Sequence, residues 1–98
     1  MEKNNFVIHL TAKYKKEFKR LTKKNRELAF RIVSVLKKLR KDPSNPGLRT
    51  HIVYSSYGAR TYTSRVSGDI RILWRFEDGN IILLLTIGGH SKNKKIYK

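Results

Sequence analysis

Apolar and polar residues alternate at the start of the chain and then change to a helical spacing. Phe6, Ile8 and Leu10 recur at every second position, which predicts a first strand. Thr11 follows that strand directly, and its side chain can cap a helix that begins at Ala12. In this first helix the apolar residues recur every three or four positions, while lysines and arginines fill the other faces. The buried stripe is formed by Tyr14, Phe18 and Leu21.

A second helix follows after a short break. Asn25 can cap its start, and Asp42 before Pro43 should end it, since a residue before proline disfavours the helical conformation. The two helices are expected to pair as a helical hairpin. The apolar stripe of the second helix consists of Leu28, Ile32, Val35, Leu36 and Leu39.

The second half of the chain predicts three strands. These run from Arg60 to Val66, from Asp69 to Phe76 and from Asn80 to Ile87, separated by the turn dipeptides Ser67-Gly68 and Asp78-Gly79. The segment 43–47 is a turn by composition, and 48–58 is left open between a loop and an extra strand. The element order is β-α-α-β-β-β. It predicts one α+β domain over residues 1–98, an antiparallel sheet with the helical hairpin on one face.

Strand alternation assigns the two faces of the middle strand. Ile70, Ile72, Trp74 and Phe76 share one face, which we expect to join the core. The other face carries Arg71, Leu73 and Arg75, which we expect to be exposed.

The charge of the chain points to an anionic partner. The 98 residues carry a formal net charge of +16, more than solubility requires, and nucleic acid is the first expectation. No apolar run approaches the length of a spanning helix, and no signal-peptide pattern opens the chain, so a cytoplasmic protein without membrane contact is expected. The chain has no cysteine and three scattered histidines. We therefore expect no metal or cofactor.

The order of motifs resembles the RelE/ParE superfamily of bacterial toxins, closer to its RelE/YafQ-like side. The resemblance spans nearly the whole chain. It is most specific in the second half, where Tyr62 to Val66, Ile70-Arg71-Ile72, the apolar run from Ile81 to Ile87 and the ending from Gly89-His90 to Tyr97 follow the family's order. It implies a toxin that cuts mRNA in the ribosomal A site and touches ribosomal RNA, without a metal. It also implies a cognate antitoxin, which the charge of this chain predicts to be acidic.

The resemblance also implies roles for individual residues. Arg65 and Arg71 flank the Ser67-Gly68 turn and correspond to family positions that grip the scissile phosphate, for which a guanidinium is well suited. His90 corresponds to a general acid or base, because an imidazole exchanges protons near neutral pH. Tyr97 corresponds to a residue that stacks on a base or takes part in proton transfer. His51 is a secondary catalytic candidate.

Further cations are candidates for contacts with RNA phosphates. A lysine-rich helical surface can dock on ribosomal RNA, and strand and tail cations can extend the track. The candidates are Arg49, Arg60, Arg75, Lys92, Lys94, Lys95, Lys13 and Lys16.

Two other functions stay open at this point. Some members of the superfamily inhibit DNA gyrase by binding it, and they share the fold without the catalytic residues. A basic module that binds RNA without cutting it would have the same charge. The combination of His90, Arg65, Arg71 and Tyr97 favours the endonuclease.

Overall fold

A computed structural model describes residues 6–53 and 60–89, which form two helices packed on one face of a five-stranded sheet. The α+β class and the predicted order of helices and strands are confirmed, with strand ends shifted by one or two residues. The elements are β1 (Val7–Leu10), α1 (Ala12–Thr22), α2 (Arg26–Lys41), a 3₁₀ turn (Pro46–Leu48), β2 (His51–Val53), β3 (Thr61–Arg65), β4 (Ile70–Glu77) and β5 (Ile81–Gly89).

The sheet is mixed, which corrects the expectation of a wholly antiparallel sheet. Across the sheet the strands are ordered β1, β5, β4, β3, β2. β3, β4 and β5 are antiparallel as predicted, and β2 pairs antiparallel with β3. β1 instead runs parallel to β5, with Val7 opposite Ile81. A tight turn fixes the direction of the two strands that it joins, whereas β1 and β5 are separated by both helices and three strands. The segment that the sequence left open contributes β2 at the sheet edge.

Both helices begin at the predicted caps. The Thr11 hydroxyl oxygen accepts a hydrogen bond from the Tyr14 N–H at 3.1 Å, and Asn25 Oδ1 accepts one from the Leu28 N–H at 3.0 Å. α2 ends before Asp42, whose N–H donates to the Lys38 carbonyl at 2.8 Å. The local sequence therefore determines both helix starts and the end of α2.

The main core lies between the helices and the sheet. Its fully buried members come from α1, α2, the 3₁₀ turn, β4 and β5, and Trp74 is the largest of them. The Trp74 indole N–H donates to the Ser64 hydroxyl at 2.8 Å, and that hydroxyl lies 2.7 Å from the Thr50 hydroxyl. The indole is thus both packed and hydrogen-bonded, which gives it a structural role.

Two expectations about the faces of β4 are wrong. Leu73 lies opposite the Trp74 face as predicted, but it is fully buried, because this second face has its own apolar cluster with Leu85. Phe76 shares the Trp74 face yet is 44% exposed. The pairing of β4 with β3 ends at Trp74, so Phe76 lies beyond it.

A bulge in β5 anchors the start of α1. Leu73 pairs with Thr86 and Trp74 pairs with Leu84, so Leu85 is the extra residue. The Thr11 hydroxyl lies 2.9 Å from the carbonyl oxygens of both Leu84 and Leu85. One side chain therefore caps α1 and satisfies carbonyl groups at the bulge.

Replacing Tyr14 with phenylalanine should raise the free energy of unfolding. The Tyr14 hydroxyl is buried without a hydrogen-bond partner, and an unsatisfied buried polar group costs about 1–3 kcal/mol. Burial also raises the pKa of Tyr14. Since an unfolded tyrosine ionises near pH 10, wild-type stability should fall as the pH rises above about 10. Urea unfolding from pH 7 to 11 checks both points. The phenylalanine variant should lose less stability above about pH 10 than the wild type. Equal decreases in the free energy of unfolding would show that Tyr14 is not the cause.

Candidate active site

The turn between β3 and β4 places two arginines side by side. The N–H groups of Val66 and Ser67 both donate to the Ile70 carbonyl, at 2.8 and 3.2 Å. This turn fixes the register in which Arg65 lies directly opposite Arg71. Directly opposed residues of antiparallel strands point to the same face, so both side chains lie on the face away from the helices.

The two guanidinium groups are held differently. Arg65 Nε donates to the Ser67 carbonyl at 3.2 Å, which holds this side chain against its own turn. Arg71 is partly buried, not exposed as the strand alternation predicted, and its Nε atom is buried without a hydrogen-bond partner. A buried donor without a partner is unusual in a folded protein and calls for a ligand or a functional explanation. Two like charges at adjacent positions repel each other, so a bound anion would stabilise both.

His51 lies on the same face as this arginine pair. It pairs with Thr63 across β2 and β3, and Thr63 and Arg65 are two positions apart on one strand, so all three share a face. His51 and Arg65 are diagonal neighbours, which lie about 7–8 Å apart, within reach of long side chains. His51 is exposed. The structure therefore places His51, Arg65 and Arg71 on one face of three successive strands, with Arg65 between the other two.

The same row of the sheet continues through buried residues that the sequence analysis missed. Thr63 pairs with Leu73, and Leu73 pairs with Thr86, so two buried threonines flank the apolar cluster next to the arginines. The spacing of Thr61, Thr63 and Arg65, each two residues apart, was the available signal for a shared face.

Asp69 is a second missed residue. It lies near the end of β5, since a Cβ atom placed on Gly89 would come 3.0 Å from Asp69 Oδ2. The preceding residue, Gly88, pairs with Arg71. A carboxylate therefore lies close to the part of β5 that borders the arginine pair.

Several predicted cations lie outside the arginine pair. Arg75 shares the face of Arg71, but its Nε is ion-paired with Glu77 Oε2 at 2.8 Å. Arg60 is exposed directly before β3. Lys13 and Lys16 are exposed on α1, the helix that packs on the opposite face of the sheet.

Arg49 adopts a backbone conformation rare for a residue other than glycine. It follows the 3₁₀ turn with a φ of 48°, in the left-handed region. It lines a groove whose floor contains Trp74, on the side of the sheet that faces the helices. The structure thus separates Arg49 from Arg65 and Arg71.

The last predicted group lies outside the described residues. His90 and Tyr97 are not among the described residues, so their proposed roles stay predictions. The same holds for the tail cations Lys92, Lys94 and Lys95.

The described ranges contain neither a membrane-spanning helix nor a cluster of metal ligands. In residues 6–53 and 60–89, no helix combines the length and apolar character needed to cross a bilayer. In the same ranges, no three histidine, cysteine, aspartate or glutamate side chains are grouped as metal ligands.

The geometry supports chemistry on a phosphodiester. Two guanidinium groups on one face can contact the non-bridging oxygens of one phosphate, since the arginine fork matches phosphate geometry. An imidazole at the next diagonal position is a group that can move a proton. The described part of the site therefore provides charge stabilisation and one candidate for proton transfer.

Comparison with solved structures identifies the fold. A chain of the archaeal RelE-RelB complex from Pyrococcus horikoshii matches with a TM-score of 0.72 at 13% identity, covering 91% of this chain and 99% of that one. The YoeB/ParE toxin from Agrobacterium tumefaciens matches with a TM-score of 0.71 at 8% identity, covering 86% and 98%. This chain has the RelE/ParE toxin fold.

YafQ from Escherichia coli is a third solved structure with this fold. It matches with a TM-score of 0.69 at 15% identity, covering 88% of this chain and 94% of YafQ. No family model and no curated protein matches the sequence. At these identities the likeness establishes the RelE/ParE fold, and the activity has to be argued from the site.

Proposed function

We propose that this chain is the toxin of a toxin-antitoxin pair and an endoribonuclease that cuts mRNA in the ribosomal A site. The observation that carries the proposal is the opposed pair of Arg65 and Arg71, with the buried Arg71 Nε left without a partner. The structural likeness to RelE, YafQ and YoeB/ParE toxins supports the same class of protein. Translation occurs in the cytoplasm, which is where the protein would act.

The proposed reaction is an internal transfer at phosphorus. The ribose 2′-oxygen attacks the adjacent phosphorus and loses its proton to a base, while the bond from phosphorus to the 5′-oxygen breaks and that oxygen gains a proton. The products are a 2′,3′-cyclic phosphate and a 5′-hydroxyl. Arg65 and Arg71 would stabilise the negative charge that grows on the non-bridging oxygens, without a metal. His51 and His90 are the candidates for base and acid, and Tyr97 would stack on a substrate base.

An acidic antitoxin is the proposed protein partner. The net charge of +16 favours a partner of opposite charge, and a segment that covers Arg65 and Arg71 would block the phosphate site. Solved complexes of the same fold, RelE-RelB and DinJ-YafQ, show that these relatives assemble with a second protein.

Pulse labelling after induced expression separates this function from gyrase inhibition. Incorporation of a labelled amino acid should fall before incorporation of labelled thymidine, because cleavage of mRNA stops translation directly. The Arg71→Ala variant should leave both unchanged. A fall in thymidine incorporation first would assign the chain to gyrase inhibition instead. RNA binding without a fall in either label would select the non-catalytic RNA-binding module.

A further inference from the structure

An aromatic groove lies on the helix-facing side of the sheet, away from the paired arginines. Its floor is lined by Tyr62, Trp74 and Phe76, and its volume is about 440 Å³. Trp74 is almost fully buried, so Tyr62 and Phe76 provide the accessible aromatic surface. It occupies the end of the β3–β4 pair opposite the turn that carries Arg65 and Arg71. Phe76 is 44% exposed in this groove, so its ring is accessible to a ligand. The proposed cleavage chemistry does not use this groove.

The floor of the groove is rigid. Tyr62 stacks on Trp74 with ring centroids 4.8 Å apart, and Phe76 meets Trp74 edge to face at 5.0 Å. The hydrogen bond from Trp74 to Ser64 fixes the plane of the indole. A planar ligand would therefore meet aromatic side chains that are already ordered, which lowers the entropy lost on binding.

The rim of the groove combines oriented donors with a cation. Asn45 Oδ1 accepts a hydrogen bond from the Gly47 N–H at 2.7 Å, which orients the side-chain amide and leaves its N–H groups for an acceptor. Arg49 lies on the same rim, and its left-handed backbone is held by its N–H bond to the Pro46 carbonyl at 3.2 Å. Asp42 is engaged nearby, since Ser44 donates to its Oδ1 from both N–H and hydroxyl.

We propose that this groove binds one unpaired base of single-stranded RNA, with Arg49 on an adjoining phosphate. Aromatic faces next to a cation are how proteins hold single-stranded nucleic acid without sequence preference, and oriented amide donors suit the edge of a base. The net charge of +16 favours a polyanion over a neutral apolar ligand. The proposal shares its ligand class with the proposed function, but binding here requires no cleavage.

The test compares two labelled hexamers that differ only in their bases. One is 2′-O-methyl hexauridylate, in which the attacking hydroxyl is blocked, and the other has the same backbone without bases. The chain contains one tryptophan, Trp74, so fluorescence quenching reports on the groove itself. Wild-type protein should bind the hexamer with bases about tenfold tighter and with quenching, because stacking of one base on an aromatic side chain strengthens binding by about that factor. Since cleavage is blocked, this result is independent of the proposed endonuclease activity.

Variants locate the effect. Phe76→Ala should abolish the preference for the hexamer with bases, and Phe30→Ala should keep it, since Phe30 is a 71% exposed phenylalanine on α2 outside the groove lining. Phe76→Leu keeps the apolar bulk but removes the aromatic face, so it should also lose the preference. This variant provides the test if Phe76→Ala folds poorly. Arg49→Ala should weaken the binding of both hexamers alike. It should also lower the slope of log affinity against log salt concentration by about 0.7.

Two results would overturn the proposal. One is that the Phe76→Ala and Phe30→Ala variants both keep the wild-type preference for the hexamer with bases. The other is equal affinity of the wild-type protein for the two hexamers. In that case, an acidic peptide with one phenylalanine that binds wild type but not Phe76→Ala would assign the groove to a protein partner.

Discussion

Replacing Arg71 with alanine is expected to slow mRNA cleavage by a factor of about 10² to 10³, the effect of removing one preorganised donor from a developing oxyanion. Arg71 is the residue in the pair with a buried Nε that lacks a partner, so this one donor is available to the reacting phosphate. The free energy of unfolding should change little, because Nε makes no hydrogen bond that the alanine variant would lose. Cleavage rates in a translating extract and urea unfolding of the same preparations measure the two quantities.

Arg75→Ala is the matched control for this prediction. Arg75 is an arginine on the same strand and the same face, but its Nε is ion-paired with Glu77. Its loss should change cleavage far less than the loss of Arg71. Arg71→Lys should recover part of the rate, since lysine keeps the charge but not the bidentate fork. If Arg75→Ala and Arg71→Ala reduce cleavage equally, cleavage depends only on the total positive charge of this face. The proposed role of the Arg65–Arg71 pair would then be wrong.

Replacing Leu84 with alanine is expected to lower the free energy of unfolding by about 2–5 kcal/mol, a large part of the about 5–15 kcal/mol typical of a domain. Leu84 is fully buried on β5, where it pairs with Leu10 of β1 and with Trp74 of β4. The shorter side chain would leave a cavity beneath the helices, next to the carbonyl that Thr11 binds. Urea unfolding with tryptophan fluorescence measures the loss.

Leu10→Ala provides the comparison. It makes the same chemical change in the neighbouring strand, but Leu10 is 42% exposed and its strand lies at the sheet edge. The decrease in the free energy of unfolding for Leu10→Ala should be less than half of the decrease for Leu84→Ala. Equal losses would mean that the core is centred elsewhere than between the helices and β5.

Local sequence was sufficient to predict the helices. The caps at Thr11 and Asn25, the stop at Asp42 and the two apolar stripes all depend on neighbours within four residues. The same was true of the β3–β4 hairpin, because a tight turn at Ser67 fixes which residues lie opposite each other. The Arg65–Arg71 pair could therefore be placed from the sequence.

Long-range packing explains what the sequence did not reveal. The parallel direction of β1 and the addition of β2 at the edge depend on contacts between distant segments. Leu73 is on the predicted face, but the bulge at Leu85 and a second apolar cluster bury it. Alternation identifies which residues share a face and cannot reveal what covers that face.

The candidate site divides in the same way. His51 could be joined to the arginines only once β2 was known to pair with β3. The aromatic groove combines a loop, a 3₁₀ turn and two strands, so no spacing in the sequence points to it. The proposed roles of His90 and Tyr97 rest on the resemblance alone.

Mapping the 5′ ends of an mRNA in a translating extract tests the central claim most directly. With wild-type protein, the account predicts new ends inside ribosome-occupied codons, each carrying a 5′-hydroxyl, and their near absence with Arg71→Ala. Intact message with wild-type protein, or the same ends produced equally by Arg71→Ala, would contradict it.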